Sequence, residues 1–128
     1  MTDWKVLDIK VRRAVDSDLE TIVGFNVSMA AETEGKTLDL ERLRPGVAAV
    51  LAEGRLGFYL VAEIGEQVAG QLMITTEWSD WRNGYFWWIQ SVYVAPGFRR
   101  LGVYRALDGL VRTEARKHPN VCGLRLYV

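Results

Sequence analysis

The sequence predicts a single α/β domain over residues 1–128, built on a mixed, mainly antiparallel sheet flanked by helices. Three observations predict it. Short β-branched or aromatic runs and helical patterns follow one another in the order β, α, α, β, β, β, α, β. Gly65 and Glu66 make a tight turn between two apolar runs, the signal of a β-hairpin. The last helical pattern stands between two strand-like runs, and a crossover of that kind makes those strands parallel neighbours.

Residues 6–13 alternate apolar and polar side chains and open the sheet. A helix follows from Ser17, placed to cap its first turn while Glu20 reaches back to the cap. Leu19, Ile22, Val23, Asn26 and Ala30 share one face, which carries that helix to about Ala31, and Gly35 ends it. Residues 38–53 form a second helical segment capped by Asp39. Pro45 should split it, because proline lacks the N–H that a helix interior needs. Residues 57–64 and 67–76 are the hairpin strands, and residues 78–83 are a polar-aromatic loop. Residues 85–94, rich in aromatic and β-branched side chains, form the next strand, broken at Pro96-Gly97. Residues 102–117 form a helix that buries Val103, Leu107, Leu110 and Val111. His118, Pro119 and Asn120 stop it, and residues 121–128 are the last strand.

Composition narrows the function classes. Hydrophobic residues make up 49% and charged residues 25%, the balance of a globular protein. Sixteen basic side chains offset sixteen acidic ones, which argues against a nucleic-acid binder driven by a positive field. No run of about 18 apolar residues is present, so no membrane partner is expected. The single cysteine, Cys122, fits a reducing cytoplasm and reads as a small core residue. His, Cys, Asp and Glu nowhere cluster at metal-ligand spacing, so no metal is expected.

Chemistry concentrates between Ser91 and Leu107. A strand ends, a proline turn follows, Arg99 and Arg100 appear, and Gly102 opens a helix. A helix N-terminus presents unpaired N–H groups at the positive end of its dipole, and guanidinium groups suit phosphate oxygens. Gly102 lets an anion approach the backbone. The plain alternative is a solvated basic turn.

The run Val92-Tyr93-Val94-x-Pro-x-Phe-Arg-Arg-x-Gly, continuing through Val103, Tyr104 and Arg105 to Leu107, resembles motif A of the GNAT N-acetyltransferase superfamily. Arg99 matches the motif's first position and Gly102 its fourth. The element order resembles that family along essentially the whole chain. The resemblance implies acetyl-CoA as cosubstrate and direct attack of an amine on the thioester. The backbone of Val92, Tyr93 and Val94 would hold the pantetheine arm, and the amides of Arg100, Leu101, Gly102, Val103, Tyr104 and Arg105 would cradle the diphosphate. Two departures stand out. Tyr104 occupies a position where the family has glycine or alanine. The usual C-terminal helix and hairpin are lacking, so the last strand is expected to be an uncovered edge through which the chain forms a homodimer.

For the acceptor, a small-molecule or peptide amine, the candidates are Gln90, Glu32 and Glu34. Gln90 stands where many members carry a glutamate, and would orient water or bind substrate. Glu32 and Glu34 lie in residues 29–39, where the family's substrate mouth usually lies, and would attract an ammonium group. Trp87 and Trp88 face opposite sides of their strand, one toward the core. Trp78 and Trp81 pack in the ordinary way or form a lid. Tyr93 points into cleft or core, and His118 caps a helix end. A CoA binder without turnover and a generic phosphate-binding module remain the alternatives.

Overall fold

In a computed structural model of the chain, residues 8–126 are described. Strand β1 (Ile9–Arg13) leads through a 3-10 turn (Asp16–Asp18) into helix α1 (Leu19–Glu34) and helix α2 (Leu40–Ala52). Strands β2 (Phe58–Ile64), β3 (Gln67–Ser79) and β4 (Gly84–Val94) form a meander. A second 3-10 turn (Pro96–Phe98), helix α3 (Val103–Lys117) and strand β5 (Val121–Leu126) complete the described chain. The sheet runs β1-β2-β3-β4-β5, with β4 and β5 parallel and every other pair antiparallel. The crossover between the last two strands therefore has the expected sense.

The helices divide between the two faces of the sheet. Val103, Leu107 and Val111 of α3 pack onto Leu60, Leu72, Ile74, Trp87 and Ile89. On the other face Ile22 and Val23 of α1 and Val47 of α2 pack onto Tyr59 and Val61. These are the stripes that the 3.6-residue and two-residue periods place on one side of each element.

Several expectations change in the structure. Ser17 does not cap α1. Asp18 turns back instead, accepting from the Val15 N–H at 2.7 Å and from Arg12 at 2.8 and 2.9 Å. Glu20 reaches Arg44 on α2, not the cap. Pro45 lies inside α2 without splitting it. Both Pro45 and Glu41, the residue whose carbonyl its missing N–H would have met, are exposed, so water can satisfy that oxygen. Asp39 caps α2 as expected, accepting from Glu41 at 2.9 Å. Strand β3 extends through Trp78 to Ser79, making a second hairpin where a loop was expected. Cys122 is exposed, because β5 forms the sheet's edge. Trp81 is 92% exposed and is not packed. The outer ends expected for the first and last strands lie outside the described residues.

Candidate active site

The site begins with an irregularity in β4. Gln71 pairs with Tyr93, but Met73 pairs with Gln90, so two steps along β3 match three along β4. The extra residue makes a bulge, and Ser91 there takes φ 54°, a left-handed conformation rare outside glycine. Gln71, fully buried, donates to the Ser91 carbonyl at 3.1 Å and pins the bulge. Among the described residues, pairing of β4 with β5 runs as far as Ile89↔Leu126. Beyond it, the β5-side edge of Val92, Tyr93 and Val94 has no strand partner among the described residues. That free edge can accept an extended chain as an added strand.

The same strand then enters the basic turn. Arg100 takes φ 66° and Gly102 φ 89°, so the backbone curls before α3 starts at Val103. Gly102 tolerates that conformation because it has no Cβ. Helix α3 can sit this close because Gly70 of β3 is bare: a Cβ there would stand 2.8 Å from Val103 Cγ1. A hollow of about 200 Å³ opens at this helix end. Val94, Arg99, Arg100, Gly102, Tyr104 and Arg105 line it, together with Val103 and Phe98. Tyr104 borders the hollow and leaves it open; burial, then Asp108, raises its pKa. Leu101 is exposed and does not line it. Phe98, quoted in the sequence motif without a role in the site, lines the hollow just before the paired arginines.

The arginines divide their work. Arg99 donates from Nε to the Val94 carbonyl at 2.8 Å and from Nη2 to Glu32 Oε1 at 2.8 Å. The other oxygen of Glu32 accepts from the Tyr93 hydroxyl at 2.6 Å. The Tyr93 ring is buried against Phe25 of α1 and carries the Arg99 guanidinium over its face at 5.4 Å. The Tyr93 hydroxyl, then Arg99, hold the Glu32 carboxyl below its usual range, and burial, then Glu32, pushes the Tyr93 hydroxyl up. Arg99 is thus a strut between α1 and the turn. The side chains of Arg100 and Arg105 make no hydrogen bond or ion pair among the described residues, and they leave their charge available at the hollow.

The acceptor candidates do not converge. Glu32, with both oxygens engaged and its pKa lowered, is a weaker base than a free carboxylate. Glu34 pairs with Lys36 at 3.3 Å in solvent. Gln90 donates to Thr75 at 2.6 Å. Trp87 is the core member of its pair, and Trp88 donates to Glu77 at 2.7 Å on the opposite face. His118 closes α3 through its own N–H, with its ring against Trp87.

A second cavity, about 480 Å³, lies between α1, α2 and the sheet. Its walls are Leu43, Val47 and Val50, and its floor is Tyr59 and Met73. Ser91 of the bulge borders it, so one end reaches the strand segment that runs on to the basic hollow. Asn26, buried, donates to the Ile22 carbonyl and faces the Tyr59 hydroxyl, whose pKa burial raises. Sequence reasoning missed this cavity, since its lining comes from separate elements. Among the described residues no cluster of His, Cys, Asp and Glu could hold a metal ion, and no helix is long and apolar enough to cross a membrane.

Comparison with known proteins bears on this arrangement. The profile of the acetyltransferase (GNAT) family matches residues 21–128. A possible acetyltransferase from Clostridium difficile 630 is 48% identical with a TM-score of 0.88, over 94% of this chain and 79% of that one. An integron cassette protein from the mobile metagenome of Cole Harbour Salt Marsh is 21% identical, with a TM-score of 0.85, over 92% of this chain and 76% of its own. A predicted acetyltransferase with acetyl-CoA from Clostridium acetobutylicum is 20% identical with a TM-score of 0.77, over 94% of this chain and 81% of its own. The latter two likenesses show the fold. No curated protein matches the chain.

Proposed function

The chain belongs to the acetyltransferase (GNAT) family, and on that footing we propose that it moves an acetyl group from acetyl-CoA to a primary amine. One observation carries the reading: the edge of β4 at Val92, Tyr93 and Val94, unpaired among the described residues, joins a basic helix-end hollow to a bulge that borders a second cavity. A diphosphate fits the hollow, where Arg100 and Arg105 and the first amides of α3 supply donors. The pantetheine arm fits the edge of Val92, Tyr93 and Val94. Its thioester then lies toward the bulge, and the acceptor enters from the α1–α2 side.

In the reaction the amine nitrogen's lone pair attacks the thioester carbonyl carbon. The C–S bond breaks, CoA leaves as thiolate, and the proton lost from nitrogen passes through water to the thiolate or to solvent. Products are the N-acetyl amide and CoA. A backbone N–H beside Val92 suits the developing oxyanion, a contribution of about 3 kcal/mol where such a donor acts. A thiol pKa near ~8.5 lets the thiolate leave without a strong acid.

The test is thermal stability with CoA, followed by thiol release from acetyl-CoA across an amine panel. CoA should raise the Tm. Arg100→Ala and Arg105→Ala should each weaken CoA by about 1.5–3 kcal/mol, roughly tenfold or more. An unchanged Tm with CoA defeats the proposal. A CoA binder without turnover is the second reading, favoured by Gln90, a non-basic side chain held by Thr75 just before the bulge. Thiol release with any amine, well above buffer, removes that reading.

A further inference from the structure

The wall of the larger cavity contains a residue that packing does not explain. Asp39, Arg42, Leu43, Gly46 and Val50 recur at helical spacing and line it. Gly46 stands mid-helix, where glycine is the poorest former after proline. A Cβ added there would meet nothing within 4 Å, and its φ is not left-handed. Neither a close approach nor an unusual backbone requires a glycine. What the missing side chain leaves is room, in the middle of the wall.

The lining also says what kind of body uses that room. Leu43, Val47, Val50, Tyr59 and Met73 are apolar or aromatic. The charged lining residues are Asp39 and Arg42, which sit 3.8 Å apart with side chains 58% and 91% exposed. Deeper in, Asn26 and the Tyr59 hydroxyl face one another. The one carboxylate in that lining, Asp39, accepts from the Glu41 N–H and lies beside Arg42, so no unengaged anion stands there for a second or third ammonium group. A volume of about 480 Å³ suits a small molecule.

The geometry points to an acceptor with one primary amine on a compact aliphatic or aromatic body, for which Gly46 sets the available size. The inference rests on the transferase reading above. The body lies along α2 over Met73, and the amine faces the bulge at Ser91. Apolar burial supplies affinity, and the small polar floor sets orientation.

The experiment compares 2-phenylethylamine, ethylamine and spermidine as acceptors for the full chain and for Gly46→Ala and Gly46→Phe. Wild type should prefer 2-phenylethylamine over spermidine in kcat/KM by tenfold or more. Gly46→Phe should raise KM for 2-phenylethylamine at least tenfold and that for ethylamine far less, with the Tm and the CoA-induced Tm shift kept. Gly46→Ala should fall between. Spermidine as the better substrate overturns the acceptor class, and an unchanged KM in a folded Gly46→Phe overturns the role of this position. If CoA binds but no amine is acetylated, the transferase reading fails by itself. The pocket is then read from the Met73 methyl NMR signal with 2-phenylethylamine. A saturable shift in wild type that Gly46→Phe abolishes upholds the size role, and no shift overturns it.

Discussion

The two faces of the sheet are packed differently. The α3 face is a continuous core of ten buried residues, including Leu72, Ile74 and Leu107 at 0% exposure. The apolar cluster on the α1–α2 face holds five, and beside it lies a cavity of about 480 Å³. The denser face seats the helix whose N-terminus forms the basic hollow, so that end is held by packing. The looser face leaves room for a variable ligand, and it is held by polar ties: Arg12–Asp18, Arg44–Glu20 and Arg99–Glu32. Under the proposed function, the rigid seat would take the cosubstrate and the shaped gap the acceptor.

Truncations should expose that asymmetry. Leu107→Ala in the dense core should cost about 3 kcal/mol, since surrounding side chains collapse only partly. Leu43→Ala, beside existing space, should cost about half that or less, both read from urea unfolding. Equal losses would break the contrast. Next in size, Asp18→Ala should cost about 2–3 kcal/mol, because it strips partners from Arg12 and from the Val15 N–H. The Arg12 hydrogen bonds hold the Asp18 carboxyl below its ordinary value. Its stabilisation is therefore complete above the unfolded pKa of about 4 and lost as pH falls through the folded value. Acid unfolding of the wild type should steepen below about pH 4, and Asp18→Ala should flatten it. The smallest effect belongs to Glu32→Gln, an exposed tie, which should leave the Tm nearly unchanged. A larger loss on thermal unfolding would mean that the looser face depends on that strut.

Much of this was legible in the chain. The hairpin at Gly65-Glu66, the buried stripes of α1 and α3, and the proline turn leading to Gly102 depend on residues within a few positions of one another. So does Asp39 as a cap. Pro45 misled because local rules count its lost hydrogen bond but not that the freed carbonyl faces water. Ser17 misled because Asp18 found a better partner in Arg12, on a different element. Cys122 misled because its small, weakly polar side chain does not say which way a strand residue faces: Val121 and Leu124 pack against the core, and Cys122 does not.

The sequence alone settled the order of elements, the parallel last pair and the basic turn at which Gly102 opens α3. Backbone chirality, hydrogen-bond reach and the helix dipole act over a turn or two, and all are written in neighbouring residues. Only the tertiary structure turned Arg99 toward Glu32, 67 positions away, and Tyr93 toward the same carboxylate across 61. It alone assembled a cavity from α1, α2 and three strands. A long side chain chooses among partners by distance in space, and an empty volume belongs to no single segment, so neither is encoded locally.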